Sequence, residues 1–191
     1  MNKITNITIV GVGGQGVLLA SEIISLAALK DGYDVKKSEV HGMAQRGGSV
    51  VTNVRFGDKI YSPIIADGEA DILLAFEKLE ALRWLSYLKE DGKVISSTQR
   101  IDPIPVGLGK EEYPEDIIEK INDKGFKVKS VKALELAREA GSQKIINTVL
   151  IGALSDMLDI ERGYFQQSLE ELVPAGTEKI NKKAFKLGKN S

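Results

Sequence analysis

A short β-branched run leads directly into a cluster of glycines near the start of the chain. Ile7-Thr8-Ile9-Val10 is typical of a buried strand, and Gly11-Val12-Gly13-Gly14-Gln15-Gly16 satisfies the pattern G-x-G-x-x-G. Apolar residues then recur at helical spacing from Val17 as far as Asp31-Gly32, where a helix should stop. The order strand, tight turn, helix predicts the opening unit of an α/β fold.

The glycine loop itself is a candidate ligand-binding segment. Its glycines let the backbone approach a ligand closely, and its free N–H groups and the positive helix end attract phosphate or carboxylate. The candidate cofactor-binding residues here are Gly11, Gly13, Gly14, Gln15 and Gly16. Glu39 follows about 20 residues later, where dinucleotide enzymes keep a ribose-binding carboxylate, so NAD is one candidate ligand. The alternative is that the glycines only permit a tight strand-to-helix crossing and Glu39 is a solvated charge.

A second unusual segment follows the next predicted strand, residues 33–40, which would return parallel to the first strand after the helix. In a parallel arrangement the segment His41 to Gly48 lies at the same sheet edge as the glycine loop. Arg46 beside Gly47 and Gly48 is suited to a bidentate contact with phosphate or carboxylate. His41 as a proton carrier and Gln45 as an amide donor are further candidates; the alternative for all of them is ordinary loop polarity.

The rest of the chain continues the α/β pattern. We expect a hairpin of 49–56 with 59–62, strands at 70–76, 93–97 and 126–131, and helices at 79–88, 114–123, 133–140, 145–158, 161–172 and 176–186. Asn147 heads a strongly apolar helix, where its amide either braces the loops or serves the first helical turn. The sequence thus predicts one domain over residues 1–191: a three-layer, Rossmann-like α/β fold with a mostly parallel sheet, a β-hairpin and a helical C-terminal part.

Composition excludes several classes of function. The 191 residues carry a formal net charge of −1, so no global basic field favours nucleic acid or an anionic membrane. The chain has no cysteine and one histidine, which removes thiolate catalysis and cysteine-held zinc or iron–sulfur clusters from this chain alone. The sequence shows neither a leader peptide nor an apolar stretch of spanning length, so we expect a cytoplasmic protein.

Two long motifs in order resemble a known family. The segments 9–17 and 39–50 are similar to the gamma-type subunit of 2-oxoacid:ferredoxin oxidoreductases, and the second resembles most the small (beta) subunit that acts on indolepyruvate. Further similar segments are 71–77, 147–153 and 181–185, so the resemblance covers nearly the whole chain. It outweighs the dinucleotide interpretation because the His-Gly-Met-Ala-Gln-Arg-Gly-Gly loop is not part of that fingerprint.

The resemblance implies a CoA-dependent oxidative decarboxylation. An aryl 2-oxoacid such as indolepyruvate, coenzyme A and oxidised ferredoxin would give an aryl-acetyl-CoA, carbon dioxide and reduced ferredoxin. Thiamine diphosphate and the [4Fe-4S] clusters would be held by a large (alpha) partner subunit, and this chain would supply no catalytic residue. The glycine loop and the loop with His41, Gln45, Arg46, Gly47 and Gly48 would face coenzyme A or the thiamine site.

Three alternatives remain open from the sequence. Related gamma subunits serve enzymes for pyruvate, 2-oxoisovalerate or 2-oxoglutarate. A stand-alone NAD-binding Rossmann protein or a non-catalytic scaffold shares the fold class, since fold does not fix function. An ATP-using activating enzyme also has a G-x-G-G-x-G loop, but its cysteines have no counterpart here.

Overall fold

A computed structural model describes residues 4–41 and 48–191, without the side chain of His41. Its six strands are β1 (Thr5–Val12), β2 (Asp34–His41), β3 (Ser49–Gly57), β4 (Ala70–Ala75), β5 (Leu88–Ser97) and β6 (Val128–Val131). Its helices are α1 (Val17–Lys30), α2 (Lys78–Arg83), α3 (Ile104–Gly107), α4 (Ile117–Asp123), α5 (Ala133–Ala140), α6 (Ile146–Ser155), α7 (Arg162–Leu172) and α8 (Glu178–Lys189). Within the described ranges, no helix combines the length and apolar character needed to cross a bilayer.

The strands form one sheet in the order β2-β3-β1-β4-β5-β6. The pairs β1–β4, β4–β5 and β5–β6 are parallel, whereas β3 runs antiparallel to both β1 and β2. Helices cover both faces, so the predicted three-layer α/β class with a mostly parallel sheet is confirmed. The predicted helical C-terminal part is also confirmed, since α5 to α8 follow the last strand.

The predicted direction of β2 is confirmed, whereas the predicted hairpin is wrong. β2 runs in the same direction as β1, and β3 lies between them. Residues 59–62 form no strand, and the hairpin partner of β3 is β2. The reason is that β3 pairs along its length with β1 on one side and β2 on the other, which leaves no free edge for a third strand.

One helix and one strand have boundaries that the sequence misplaced. The helix expected over 79–88 ends at Arg83, a 3-10 turn follows, and β5 already begins at Leu88. Gly92, directly before the expected start of the strand at residue 93, lies inside β5 near an irregularity in the β4–β5 register. A Cβ at Gly92 would stand 2.6 Å from Leu88 Cδ2, so glycine here permits close contact within an irregular strand.

Two apolar clusters fill the spaces on either side of the sheet. One contains α1 and α5 to α8 together with sheet residues such as Ile9 and Phe56. The other contains α2 and α4 together with Val10, Leu73 and Val94. Successive strand residues point to opposite faces, which is why Ile9 and Val10 belong to different clusters.

Candidate functional site

The neighbouring parallel strands β1 and β4 send the chain to opposite faces of the sheet. From β1 it continues into α1, which packs in one apolar cluster, and from β4 it continues into α2, which packs in the other. In open α/β sheets the crevice outside the carboxyl ends of two such strands is the usual ligand site. The glycine loop at 11–16 and the segment Phe76-Glu77 border this crevice.

The glycine loop needs glycine for two different physical reasons. Gly14 and Gly16 have φ of +98° and +84°, a left-handed conformation that other residues adopt only with strain. Gly11 instead allows close packing, since a Cβ there would stand 2.8 Å from Val17 Cγ2 and 2.9 Å from Phe76 Cβ. The loop thus holds its backbone tightly against the start of α1, as the sequence predicts.

Gln15 joins the ends of three strands through its side chain. Its Oε1 accepts from the Val12 N–H at 2.7 Å, and its Nε2 donates to the Phe76 carbonyl at 2.9 Å and to Gln99 Oε1 at 3.1 Å. Val12, Phe76 and Gln99 lie at the ends of β1, β4 and β5. The Gln15 amide therefore braces the crevice from inside the protein.

The second predicted loop reaches the glycine loop where the structure describes it. The Gly13 N–H donates to the Gly48 carbonyl at 3.0 Å, and β2 ends at the same sheet edge as β1. The shared edge of the two loops is thus confirmed at Gly48. Gln45, Arg46 and Gly47 lie outside the described residues, as does the side chain of His41.

Asn147 lies in the first turn of α6 and against the glycine loop. It is buried, with 3% of its surface exposed. A Cβ at Gly16 would stand 3.2 Å from the Asn147 side-chain nitrogen. Asn147 therefore fits both interpretations. It is a first-turn residue of α6, and its side chain also contacts the turn that begins α1.

Two buried carboxylates at the crevice were missed by sequence reasoning. Glu77 caps α2 by accepting the Glu80 N–H at 3.0 Å, and it also accepts from the Ile101 N–H. Glu80 accepts from Ser49 Oγ at 2.5 Å and from Arg83 at 2.7 Å. Through Ser49, Glu80 fixes the start of β3 next to Gly48. For Glu77 the sequence did contain a signal, because a carboxylate directly after an apolar strand occupies the position of a helix N-cap.

Tyr113 completes the hydrogen bonds of Glu77. Its hydroxyl donates to Glu77 Oε1 at 2.5 Å, and the Arg100 guanidinium lies 4.2 Å from the centre of its ring. Burial raises the pKa of Tyr113 above its ordinary value, and the hydrogen bond to Glu77 raises it further. The phenol therefore stays protonated and acts as a donor to the carboxylate.

A cleft of about 440 Å³ opens beside the glycine loop. It is lined by Gly14, Gln15, Gln99, Leu134, Arg138, Gln143, Lys144 and Ile146. Two of these side chains are cations and none is an acid, so the cleft favours an anionic ligand. Local sequence patterns carry no signal for Arg138 and Lys144, because these residues lie more than a hundred positions after the loop. In residues 4–41 and 48–191, no three His, Cys, Asp or Glu side chains form a metal-binding group.

The position of Glu39 disfavours a dinucleotide. Glu39 lies on β2, and β3 separates that strand from the glycine loop after β1. Two strand spacings amount to roughly 10 Å. Glu39 also forms an ion pair with Lys37 at 2.8 Å. A ribose held at the glycine loop would therefore lack the carboxylate that the dinucleotide fingerprint places beside it.

Comparison with known proteins identifies the family. The family model for pyruvate ferredoxin/flavodoxin oxidoreductase matches residues 6–191. The chain belongs to this family. The resemblance of the motifs to 2-oxoacid:ferredoxin oxidoreductases is thus confirmed over almost the whole chain.

Curated members of the family differ in their similarity to this chain. The indolepyruvate oxidoreductase subunit IorB of Thermococcus kodakarensis is 43% identical over 188 residues, which cover 96% of this chain and 93% of that protein. The 2-oxoglutarate synthase subunit KorC of Methanothermobacter marburgensis is 30% identical over 191 residues, with 96% and 94% covered. The chain is thus more similar to this indolepyruvate subunit than to this 2-oxoglutarate subunit.

A solved structure of the family shares the fold. The 2-oxoglutarate:ferredoxin oxidoreductase of Magnetococcus marinus, solved with 2-oxoglutarate, coenzyme A and succinyl-CoA bound, aligns with a TM-score of 0.78 at 21% identity. The alignment covers all of this chain and 31% of that one. The sheet and helices described above are therefore a fold found within a larger family member.

Proposed function

We propose that this chain is the small subunit of an indolepyruvate:ferredoxin oxidoreductase. The observation that carries the proposal is the 43% identity with a curated indolepyruvate subunit over nearly the full length of both chains. The reaction joins an aryl 2-oxoacid, coenzyme A and two oxidised ferredoxins to give an aryl-acetyl-CoA, carbon dioxide, a proton and two reduced ferredoxins. We assign it to the cytoplasm.

The proposed large partner subunit holds the redox groups. With no cysteine, this chain has no thiolate to ligate a cluster, which agrees with [4Fe-4S] clusters on the partner. Thiamine diphosphate on that subunit supplies the carbanion chemistry of decarboxylation. The proposed task of this chain is to bind and orient coenzyme A and to enclose the reacting groups. None of its side chains is assigned a catalytic role.

We assign the anionic groups of coenzyme A, or of the cofactor on the partner, to the cleft beside the glycine loop. The proposed contacts are the loop amides at Gly14 and Gly16 and the side chains of Arg46, Arg138 and Lys144, while the Gly13 N–H holds the Gly48 carbonyl. Support comes from the cations that line the 440 Å³ cleft without an acid among them. His41, Gln45, Gly47, Gly48 and Asn147 would shape the same surface, with Gln15 and Gly11 setting the loop geometry.

Purification from the native host tests the subunit assignment. A tagged chain, isolated without oxygen, should retain a larger brown subunit that reduces a viologen dye when given indolepyruvate and coenzyme A. Activity on pyruvate, 2-oxoisovalerate and 2-oxoglutarate should be lower. A brown complex that prefers one of these would contradict the substrate assignment alone. A colourless chain without a partner that binds NAD would contradict the whole proposal.

Variants of the assembled enzyme test the coenzyme A contacts. Charge-assisted hydrogen bonds are worth about 1.5–3 kcal/mol each, so Arg138→Gln with Lys144→Gln should raise the KM for coenzyme A at least tenfold. The KM for pantetheine, which carries no phosphate, should stay the same. Lys132→Gln is the matched control, because it removes an exposed cation next to α5, the helix that contains Arg138. It should change neither the KM for coenzyme A nor the KM for pantetheine. Arg46→Ala should likewise raise the coenzyme A requirement or abolish turnover.

A further inference from the structure

A second concave surface lies between the last two helices. It is a groove of about 380 Å³, lined by Arg162, Gln166, Leu169, Lys182, Phe185, Lys186, Lys189 and Asn190. The lining residues of α7, at positions 162, 166 and 169, are spaced by four and then three residues. The lining lysines of α8, at positions 182, 186 and 189, have the same spacing. This spacing places each set on one face of its helix, so two helical faces form the walls.

The charge of the groove is one-sided. Four of its lining side chains are cations and none is an acid. Lys182 forms an ion pair with Glu170, and Lys189 forms one with Asp156 at 2.8 Å. In the described ranges, 4–41 and 48–191, no carboxylate lies within ion-pair distance of Arg162 or Lys186. The whole chain has a formal net charge of −1, so this concentration of cations is local.

Helix stability explains only part of this arrangement. Lys186 and Lys189 lie in the last turn of α8, where cations stabilise the negative end of the helix dipole. Arg162, however, is the first residue of α7, where a cation at the positive end of a helix is unfavourable. The N-cap residue Glu161 offsets part of this cost, since an acid at a helix N-terminus is favourable. An anion bound in the groove beside Arg162 would offset it further.

The floor of the groove is apolar. Leu169 and Phe185 are 1% and 4% exposed, and the Phe185 ring lies 5.9 Å from that of Phe165. The amides of Gln166 and Asn190 add hydrogen-bonding groups at the wall. An apolar floor with a few polar groups around it, at a volume of several hundred Å³, is typical of a small-molecule site.

We propose that this groove binds a small organic polyanion that joins phosphate groups to an apolar or aromatic part, the chemistry of a nucleotide. The phosphates contact Arg162 and Lys186. The ring system lies in the groove above Leu169 and Phe185, against the methylene stems of the lysines that line it. The groove shares no lining residue with the cleft beside the glycine loop. The proposal therefore does not depend on how the glycine loop is used.

Calorimetry on the purified complex tests the proposal, with ATP, inorganic triphosphate and adenosine as probes. ATP should bind more tightly than either fragment, because only ATP uses both the cations and the apolar floor. The double variant Arg162→Gln, Lys186→Gln should weaken ATP binding at least tenfold. Lys179→Gln removes an exposed cation of α8 that does not line the groove, and it should change the affinity less than twofold.

Three results would overturn the proposal. They are absence of ATP binding to the complex, equal affinity of the wild type and the double variant, and an equal loss in Lys179→Gln, which would indicate nonspecific attraction to α8. Equal affinity for ATP and triphosphate would overturn the assignment of the apolar floor. Unchanged thermal unfolding of the variants excludes misfolding as the cause, since the exchanged side chains are exposed.

Discussion

Gln15 and Gly16 have different physical tasks within one motif. The Gln15 amide makes three hydrogen bonds inside the protein, which ties the glycine loop to the ends of β4 and β5. Gly16 has a left-handed backbone conformation, and a Cβ at this position would point at the Asn147 side chain. A pattern match counts both as motif residues, yet only the geometry separates the side-chain brace at Gln15 from the turn-forming glycine at Gly16.

Tyr113→Phe should destabilise the protein by about 2 kcal/mol near neutral pH, because a buried hydrogen bond to a carboxylate is lost. The cation–π contact with Arg100 can persist with phenylalanine. The raised pKa of Tyr113 adds a pH dependence. Above about pH 10 the unfolded chain releases the phenolic proton and the folded chain retains it. The free energy of unfolding of the wild type therefore falls by up to about 1.4 kcal/mol per pH unit from this group.

Urea titrations between pH 8 and pH 11 measure this effect. The difference in unfolding free energy between the wild type and Tyr113→Phe should be constant up to about pH 10 and should shrink above it. Tyr61→Phe is the matched control, since Tyr61 is 88% exposed. A difference that stays constant to pH 11 would contradict the raised pKa.

Among the elements, α6 and α8 pack with their backbones in near contact. A Cβ at Gly188 would stand 1.9 Å from the Val149 carbonyl oxygen, and one at Gly152 would stand 2.1 Å from that of Phe185. Thr148 Oγ1 also donates to Asn181 Oδ1 at 2.6 Å across this interface. Two of the family-like segments, 147–153 and 181–185, thus contribute to one helix contact.

Gly188→Ala should destabilise the protein by about 3 kcal/mol, because the methyl group overlaps backbone that cannot move without separating the helices. Gly163→Ala in α7 is the matched control, since its Cβ would meet its nearest neighbour at 3.6 Å. That variant should be neutral or stabilising by up to about 1 kcal/mol. Chemical denaturation of both variants measures the effect, and equal stabilities would exclude the close helix contact.

The sequence predicts most elements but not their long-range pairing. Periodicity finds α5, α7 and the central strands because each carries its signal locally. It cannot find that β3 enters between β1 and β2, because that choice depends on which sheet edge is free. For the same reason the glycine loop of the candidate site was predictable, whereas Glu80, Arg138 and Lys144 were not. Their side chains come near the glycine loop only through the packing of distant segments.

For the molecule as a whole, one sheet connects two apolar clusters. Most helical residues lie in the cluster with α1 and α5 to α8, whereas Trp84 packs against the cluster with α2 and α4. Because neighbouring residues of the same strands enter both clusters, we expect residues 1–191 to unfold as a single cooperative unit.

Two spectroscopic probes test this cooperativity. Trp84 is the only tryptophan in the sequence, so fluorescence reports on one cluster, and far-UV circular dichroism reports mainly on the other. Their urea transitions should have the same midpoint. Two separate midpoints would show that the chain contains two folding units.

The two edge strands of the sheet are charged or very short. β2 contains Lys36, Lys37 and Glu39, and Lys37 is also paired with Glu22 on α1. At the opposite side β6 has four residues, and its Lys129 donates to the Ala153 carbonyl of α6. Charged or very short outer strands resist the addition of a strand from another chain. Copies of this subunit produced before a partner is present are therefore protected against intermolecular sheet formation and the aggregation that follows from it.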